Sequence, residues 1–244
     1  MGGDRAVATS ERELTQMTQR WATFDCYGTL IDWEGGIGGT FARLWPDADR
    51  GALLTAYHRI EPEVQRGRAI SYRQVLGETL TGVAAEAGLR LADDQREALA
   101  QSLPSWPPFP EVPAALEALR ARGWRLGILS NTDPDLLAAS VVSIGVPVDL
   151  RVTAAEAGSY KPAHGHWRYF FEQTGADRDR HVHVAASLTH DLAPCAELGL
   201  DAVWIKRSGD TTDRAREGDL PRAAELPDLE ALPDTLDRLR QPAS

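Results

Sequence analysis

Five short apolar runs recur along the chain: Trp21–Phe24, Leu126–Leu129, Asp149–Val152, His181–Ala186 and Ala202–Ile205. Each has the length of a strand. Amphipathic stretches of helical period fall between them at Val112–Ala121, Pro134–Ile144, Pro162–Gln173 and Leu192–Leu198. Gly123, Gly145, Gly175 and Gly199 follow those stretches closely, where a helix needs a stop. Strands that alternate with helices pair in parallel, because each crossover lays its helix on a sheet face. The expected fold is therefore α/β: a doubly wound, Rossmann-like parallel sheet with helices on both sides. Such a sheet binds ligands at the carboxyl ends of its strands, which says where chemistry should be sought.

The first strand breaks the alternation. From Asp32 to Phe109 no convincing strand appears, and helical patterns cover Gly38–Leu44, Arg50–Arg66, Ser71–Glu86 and Ala92–Ser102. Pro62 should kink or split the second of these, since it lacks an N–H and crowds the preceding turn. The stretch "PSWPPFPEVP" then returns the chain stiffly to the sheet. We expect a helical cap at 34–107, inserted into a core made of 19–33 and 108–244, behind a polar tail at 1–18. A cap over the crevice would exclude water from it. The pair Gly35-Gly36 with Gly38-Gly39 lacks the lysine and context of a phosphate loop, and reads as a hinge where the cap leaves the core.

Composition narrows the partners. With 244 residues, 43% of them hydrophobic, the chain can bury a sizeable core. A net charge of −10 disfavours nucleic acid and anionic membranes. The two cysteines, Cys26 and Cys195, are too few for a disulfide framework. No run approaches the ~20 apolar residues of a membrane helix, and the first residues show no apolar secretion core. The expectation is a soluble cytoplasmic protein with a small-molecule partner; a homodimer is left open.

Chemistry-bearing residues follow successive strands. Asp25 ends the first, in "TFDCYGTLID"; Ser130 and Asn131 end the second, in "GILSNTD". Lys161 follows the third, in "AGSYKP", and Ser187 and Asp191 follow the fourth, in "VAASLTHDL". Each alone has a plainer reading: a turn former, a helix cap, a solvated lysine. Capping does not easily produce the whole set in this order.

"FDCYGTL", "LSNTD", "SYKP" and "SLTHD" resemble the four motifs of the haloacid dehalogenase superfamily, and the helical insert lies where that superfamily places its first cap. The resemblance runs from about residue 21 to 206. Most members are magnesium-dependent phosphatases, which carry a second Asp two residues beyond the nucleophile and a Gly-Asp pair in the fourth motif. Here those positions hold Tyr27, and Ala185 with Ala186. A phenol is a poor general acid, and two missing carboxylates weaken a hard-cation site. The tyrosine is similar to the L-2-haloacid dehalogenase branch. That resemblance implies displacement of halide from carbon, which needs neither proton donor nor metal, so no cofactor is expected.

It also implies roles. Asp25 would attack C2 of a short 2-haloalkanoic acid, giving an aspartyl ester that water hydrolyses. Lys161 would keep Asp25 ionised, and Thr29 would fix its rotamer. Asp191 would orient Lys161 and help activate water. Ser130 and Asn131, with the backbone N–H groups of Cys26 and Tyr27, would bind the substrate carboxylate, and Ser187 would join this lining. Arg59 in "AYHRIEPE" is the best match for the branch's halide-accepting arginine, with Arg43, Arg68 and Arg73 competing. The chain departs from the branch at Ala186, Ser187 and Leu188, where serine and asparagine are usual, and at Trp167, where tyrosine is.

Two other functions stay open at this stage. One is a phosphatase with residual Mg²⁺ on Asp25, the Tyr27 carbonyl and Asp191; the other is a fold that has lost turnover and binds a small carboxylate or a protein. Among weaker signals, Cys26 reads as a small buried residue and His190 as a surface residue at a helix start. His164 and His166 lack partners at zinc spacing. Trp33, Trp106 and Trp167 are candidates to face the crevice, although packing in the core or cap is the expectation for most of the seven tryptophans.

Overall fold

The structure, a computed structural model, describes residues 19–68, 70–207 and 220–240. The tail expected at 1–18 lies outside them. Strands β1 (Arg20–Phe24), β2 (Trp124–Ser130), β3 (Leu150–Thr153), β4 (His181–Ala185), β5 (Ala202–Ile205) and β6 (Ala224–Leu226) form a single parallel sheet in the order β3-β2-β1-β4-β5-β6. The chain winds outward from β1 to β3 on one side and from β4 to β6 on the other. The β1/β4 boundary is thus the point where strand order reverses, and a crevice opens there. The strand β6 was not expected. Its residues, Ala-Glu-Leu, alternate too briefly to show a period, and an edge position against β5 is what makes them a strand.

Alternation along the strands fills both faces. Ala22, Phe24, Leu126, Ile128, Val182 and Val184 point to one side, against helices α5 (Val112–Ala121) and α6 (Pro134–Ile144). Helix α10 (Leu232–Leu239) joins that layer through Leu232 and Leu236. Trp21, Leu129, Val152, Ala185 and Trp204 point to the other side, against Trp167 and Phe170 of α8 (Gly165–Thr174) and Cys195 of α9 (Ala193–Leu198). A short helix, α7 (Ala154–Ala157), precedes α8.

Between β1 and α5 the chain forms α1 (Trp33–Leu44), α2 (Arg50–Gln65), α3 (Tyr72–Glu86) and α4 (Ala98–Ser102). Sequence reading had α4 beginning at Ala92; a 3₁₀ turn at Asp93–Gln95 stands there instead. Helix α2 runs through Pro62 unbroken, and the Arg66 N–H closes on the Pro62 carbonyl at 3.1 Å. Of the kink or split expected, the split does not occur: α2 continues to Gln65, lacking only the hydrogen bond that Pro62 cannot donate to the preceding turn. The glycines expected as a hinge lie inside α1, whose first turn Asp32 caps by accepting from Gly35 N. Close approach explains one of them: a Cβ at Gly36 would stand 2.3 Å from the Trp106 ring. Core and insert are stitched together at several points. Asp133 accepts from the N–H groups of Tyr72 and Arg73, each at 2.9 Å, and the Tyr160 hydroxyl donates to the Ile70 carbonyl at 2.6 Å. Among the described residues no helix is long and apolar enough to cross a membrane.

Candidate active site

Asp25 stands just past β1, its N–H bonded to the Val184 carbonyl of β4, and its carboxylate is almost covered. The chain then turns sharply: Gly28 adopts φ +86°, and the N–H groups of Leu30 and Ile31 both return to the Cys26 carbonyl. That turn brings Thr29 back under the carboxylate, where its hydroxyl donates to Asp25 Oδ2 at 3.0 Å and accepts from Ala186 N at 2.9 Å.

Lys161 reaches the same carboxylate from the far side of the crevice. Its Nζ donates to Asp25 Oδ1 at 2.8 Å, to Asp191 Oδ1 at 2.6 Å and to the Leu129 carbonyl at 2.9 Å. All three ammonium protons are used, as a buried cation requires. Lys161 is held by Asn131, whose amide donates to the Lys161 carbonyl at 2.9 Å and accepts from its N–H at 2.6 Å. Two acids share one ammonium, and they divide it unequally. Burial works against ionisation of Asp191, but Lys161 and His183 overcome it and hold the carboxyl well below its ordinary range. Burial raises Asp25 above its ordinary value, Asp191 adds to the rise, and Lys161 opposes it. Burial would lower Lys161, but the two carboxylates outweigh that and keep it protonated. Of the two carboxylates Asp25 is thus the less stabilised as an anion, which suits a nucleophile.

A line of buried polar side chains continues behind Asp191. His183 Nε2 lies 2.9 Å from Asp191 Oδ1, His183 Nδ1 lies 2.8 Å from Thr23 Oγ1, and Thr23 Oγ1 lies 2.8 Å from His181 Nε2. A carboxylate only accepts, so His183 donates from Nε2 and accepts at Nδ1; Thr23 then donates to His183 and accepts from His181. Sequence reading missed this line. The alternation His-Val-His in β4 places both imidazoles on one face, but only the pairing with β1 shows that Thr23 lies between them.

The crevice is a cavity of about 610 Å³, walled on one side by Asp25, Ser130, Asn131, Lys161, Ser187 and Asp191, and on the other by the insert. Of the residues singled out from sequence, these six, Tyr27 and Arg59 line it. Cys26 is fully buried beside Asp25, and burial pushes its thiol up. Several side chains do something other than expected. The Tyr27 phenol lies 3.0 Å from Ser140 Oγ on α6, its ring stacked on Tyr72, and burial keeps it protonated. Asn131 spends its amide on Lys161. The Ser130 hydroxyl is buried and, among the described residues, has no hydrogen-bond partner. Arg59 pairs with Glu86, and its side chain is 60% exposed. Arg68 pairs with Glu78 and Arg73 with Asp135. His190, expected on the surface, lines the cavity with its Nδ1 3.2 Å from Ser187 Oγ. Trp33 faces the cavity, whereas Trp106 packs edge-on against Tyr27 and Trp167 against His183.

Comparison with known proteins fits this geometry. The family model for haloacid dehalogenase-like hydrolases matches residues 20–199. Over 194 residues the chain is 28% identical to an (S)-2-haloacid dehalogenase of Pseudomonas sp. (strain YL), with 76% of this chain and 82% of that one covered. It is 27% identical to haloacetate dehalogenase H-2 of Moraxella sp. (strain B), with 76% and 85% covered. Among solved structures, the L-2-haloacid dehalogenase from Xanthobacter autotrophicus with chloropropionic acid covalently bound superposes with a TM-score of 0.76 at 20% identity, over 88% of this chain and 97% of that one. The chain belongs to the haloacid dehalogenase-like hydrolase family.

Proposed function

We propose that the protein hydrolyses 2-haloacids through an ester on Asp25, without a metal ion. One observation carries this reading: Lys161 Nζ neutralises the Asp25 carboxylate at 2.8 Å, while the position two residues on holds a phenol turned to Ser140 where an acid would be needed to protonate an alkoxide. In the first step an Asp25 oxygen attacks C2 and the carbon–halogen bond breaks, the halide leaving with the bonding pair. In the second, water adds to the Asp25 ester carbonyl. The ester C–O bond breaks, releasing the 2-hydroxyacid and a proton and restoring the carboxylate. Asp191, already holding Lys161 and His183, is a poor proton acceptor. We therefore assign the water's proton to His190, which lines the cavity. The insert, read as a cap domain over 34–107, closes the site against competing water.

The side chains are a poor match for Mg²⁺. Lys161 occupies an oxygen of each carboxylate, Ala185 and Ala186 contribute no ligating side chain, and among the described residues no three His, Cys, Asp or Glu side chains group for a metal. A hard cation wants several free carboxylate oxygens. Similarity to curated relatives that act on 2-haloacids and haloacetate supports the substrate class. The test is halide release from 2-chloropropionate and chloroacetate in EDTA. Release that persists with chelator and vanishes in Asp25→Asn is expected. Phosphate release from phosphomonoesters that depends on added Mg²⁺, with no halide, would overturn the reading.

A further inference from the structure

The wall that the insert presents to the cavity carries a single carboxylate among polar and aromatic side chains that include His58 and Arg59. Glu61, on α2, lines it, and among the described residues its carboxylate forms no hydrogen bond and no ion pair. Its neighbours all look elsewhere. His58 pairs with Glu34 at 2.9 Å, and Tyr160 donates to the Ile70 carbonyl. Tyr57, one turn earlier on α2 and fully buried beside Tyr72, has a hydroxyl that forms no hydrogen bond among the described residues. Burial, which His58 only partly offsets, raises the Glu61 carboxyl to about 7. Glu61 is partly buried, so its carboxylate stands at the cavity wall where a ligand cation can pair with it.

Size points the same way. A cavity of about 610 Å³ falls in the range, roughly 300–1,000 Å³, that holds drug-sized ligands. A three-carbon haloacid would leave most of it empty. Charge adds to this: Lys161 is shared between Asp25 and Asp191, Arg59 pairs with Glu86 and His58 with Glu34, and among the described residues Glu61 forms no salt bridge.

We propose that Glu61 is a cation subsite, and that the substrate is a 2-haloacid whose chain ends, away from the carboxylate, in a protonated amine bound by Glu61 beside Tyr57. This rests on the dehalogenase reading for the reacting end, while the subsite itself can be tested without turnover. Calorimetric titration of the wild-type protein would compare 4-aminobutanoate with butanoate and 6-aminohexanoate with hexanoate. At least one amino acid should bind tenfold or more tightly than its alkyl counterpart, and Glu61→Gln should erase that preference. Halide release from the matching ω-amino and alkyl 2-chloro acids should show the same tenfold preference in kcat/KM. No preference at either chain length in wild type overturns the subsite, whether or not halide is released. A binding preference lost in Glu61→Gln, with no halide from any chloro acid, upholds the subsite and overturns the dehalogenase reading. Because the wild-type comparison stands alone, a variant that fails to fold leaves the proposal open to refutation.

Discussion

Asn131 grips the backbone of Lys161 at both ends, donating to its carbonyl at 2.9 Å and accepting from its N–H at 2.6 Å. The loop after β2 thereby sets where the loop after β3 carries its ammonium. Asn131→Ala should lower kcat for halide release by about 10- to 100-fold with a smaller change in KM, since a displaced Lys161 mainly harms the reacting end. The same variant leaves a partly buried N–H and C=O unpaired, at a cost of about 1–3 kcal/mol in denaturant unfolding.

The phenol of Tyr27 is committed to Ser140. Tyr27→Phe should therefore keep halide release within about threefold of wild type while lowering stability by about 1 kcal/mol, the worth of one ordinary hydrogen bond. A loss of a hundredfold or more would show that the hydroxyl takes part in chemistry.

The proposed displacement needs Asp25 ionised, and burial raises its carboxyl despite Lys161. The pH profile of kcat/KM should be flat on the alkaline side and fall as acid protonates Asp25, with an apparent midpoint above that of an ordinary aspartate. Replacing the opposing like charge, in Asp191→Asn, should move that midpoint down. Initial rates of halide release across pH would measure both.

Stability should depend on pH through His166. Burial, aided by the Lys161 charge, lowers its imidazole to about 4. Between about 6.5 and 4 the unfolded chain binds a proton that the folded one refuses, so the contribution of His166 to stability falls as pH falls through that window and levels off below it. The drop assigned to this residue is about 3 kcal/mol. His166→Gln, which can keep the donor to the Ser130 carbonyl, should flatten the dependence in urea unfolding at pH 7 and pH 4.5.

Thr23 links His181 to His183 through one hydroxyl. Thr23→Val keeps the shape and removes both bonds, leaving two buried ring nitrogens unpaired. A loss of about 1–3 kcal/mol is expected, seen as a Tm lower by several degrees. If His183 also steadies Asp191, kcat should fall while KM holds.

The sheet was legible because it rests on local, repeated signals. Apolar runs of strand length, glycine stops such as Gly145 and Gly199, and residues like Asp25 and Lys161 just past strand ends are written in short windows of sequence. Helical period likewise marked α2 and α3. The short edge strand β6, the course of α1 through four glycines and the persistence of α2 past Pro62 carry no such signal, since each depends on a partner elsewhere in the chain.

The set of side chains around Asp25 was likewise readable, but its wiring was not. Sequence order alone determined that an aspartate, a serine–asparagine pair, a lysine and a second aspartate would gather at one edge of a parallel sheet. Tertiary packing alone decided that Asn131 would hold Lys161, that Tyr27 would turn to Ser140, that His183 would back Asp191, and that Glu61 would face the cavity unpaired. Strand-end positions are fixed by backbone periodicity; which oxygen meets which nitrogen is fixed by register and burial, and these bring together residues far apart in the chain.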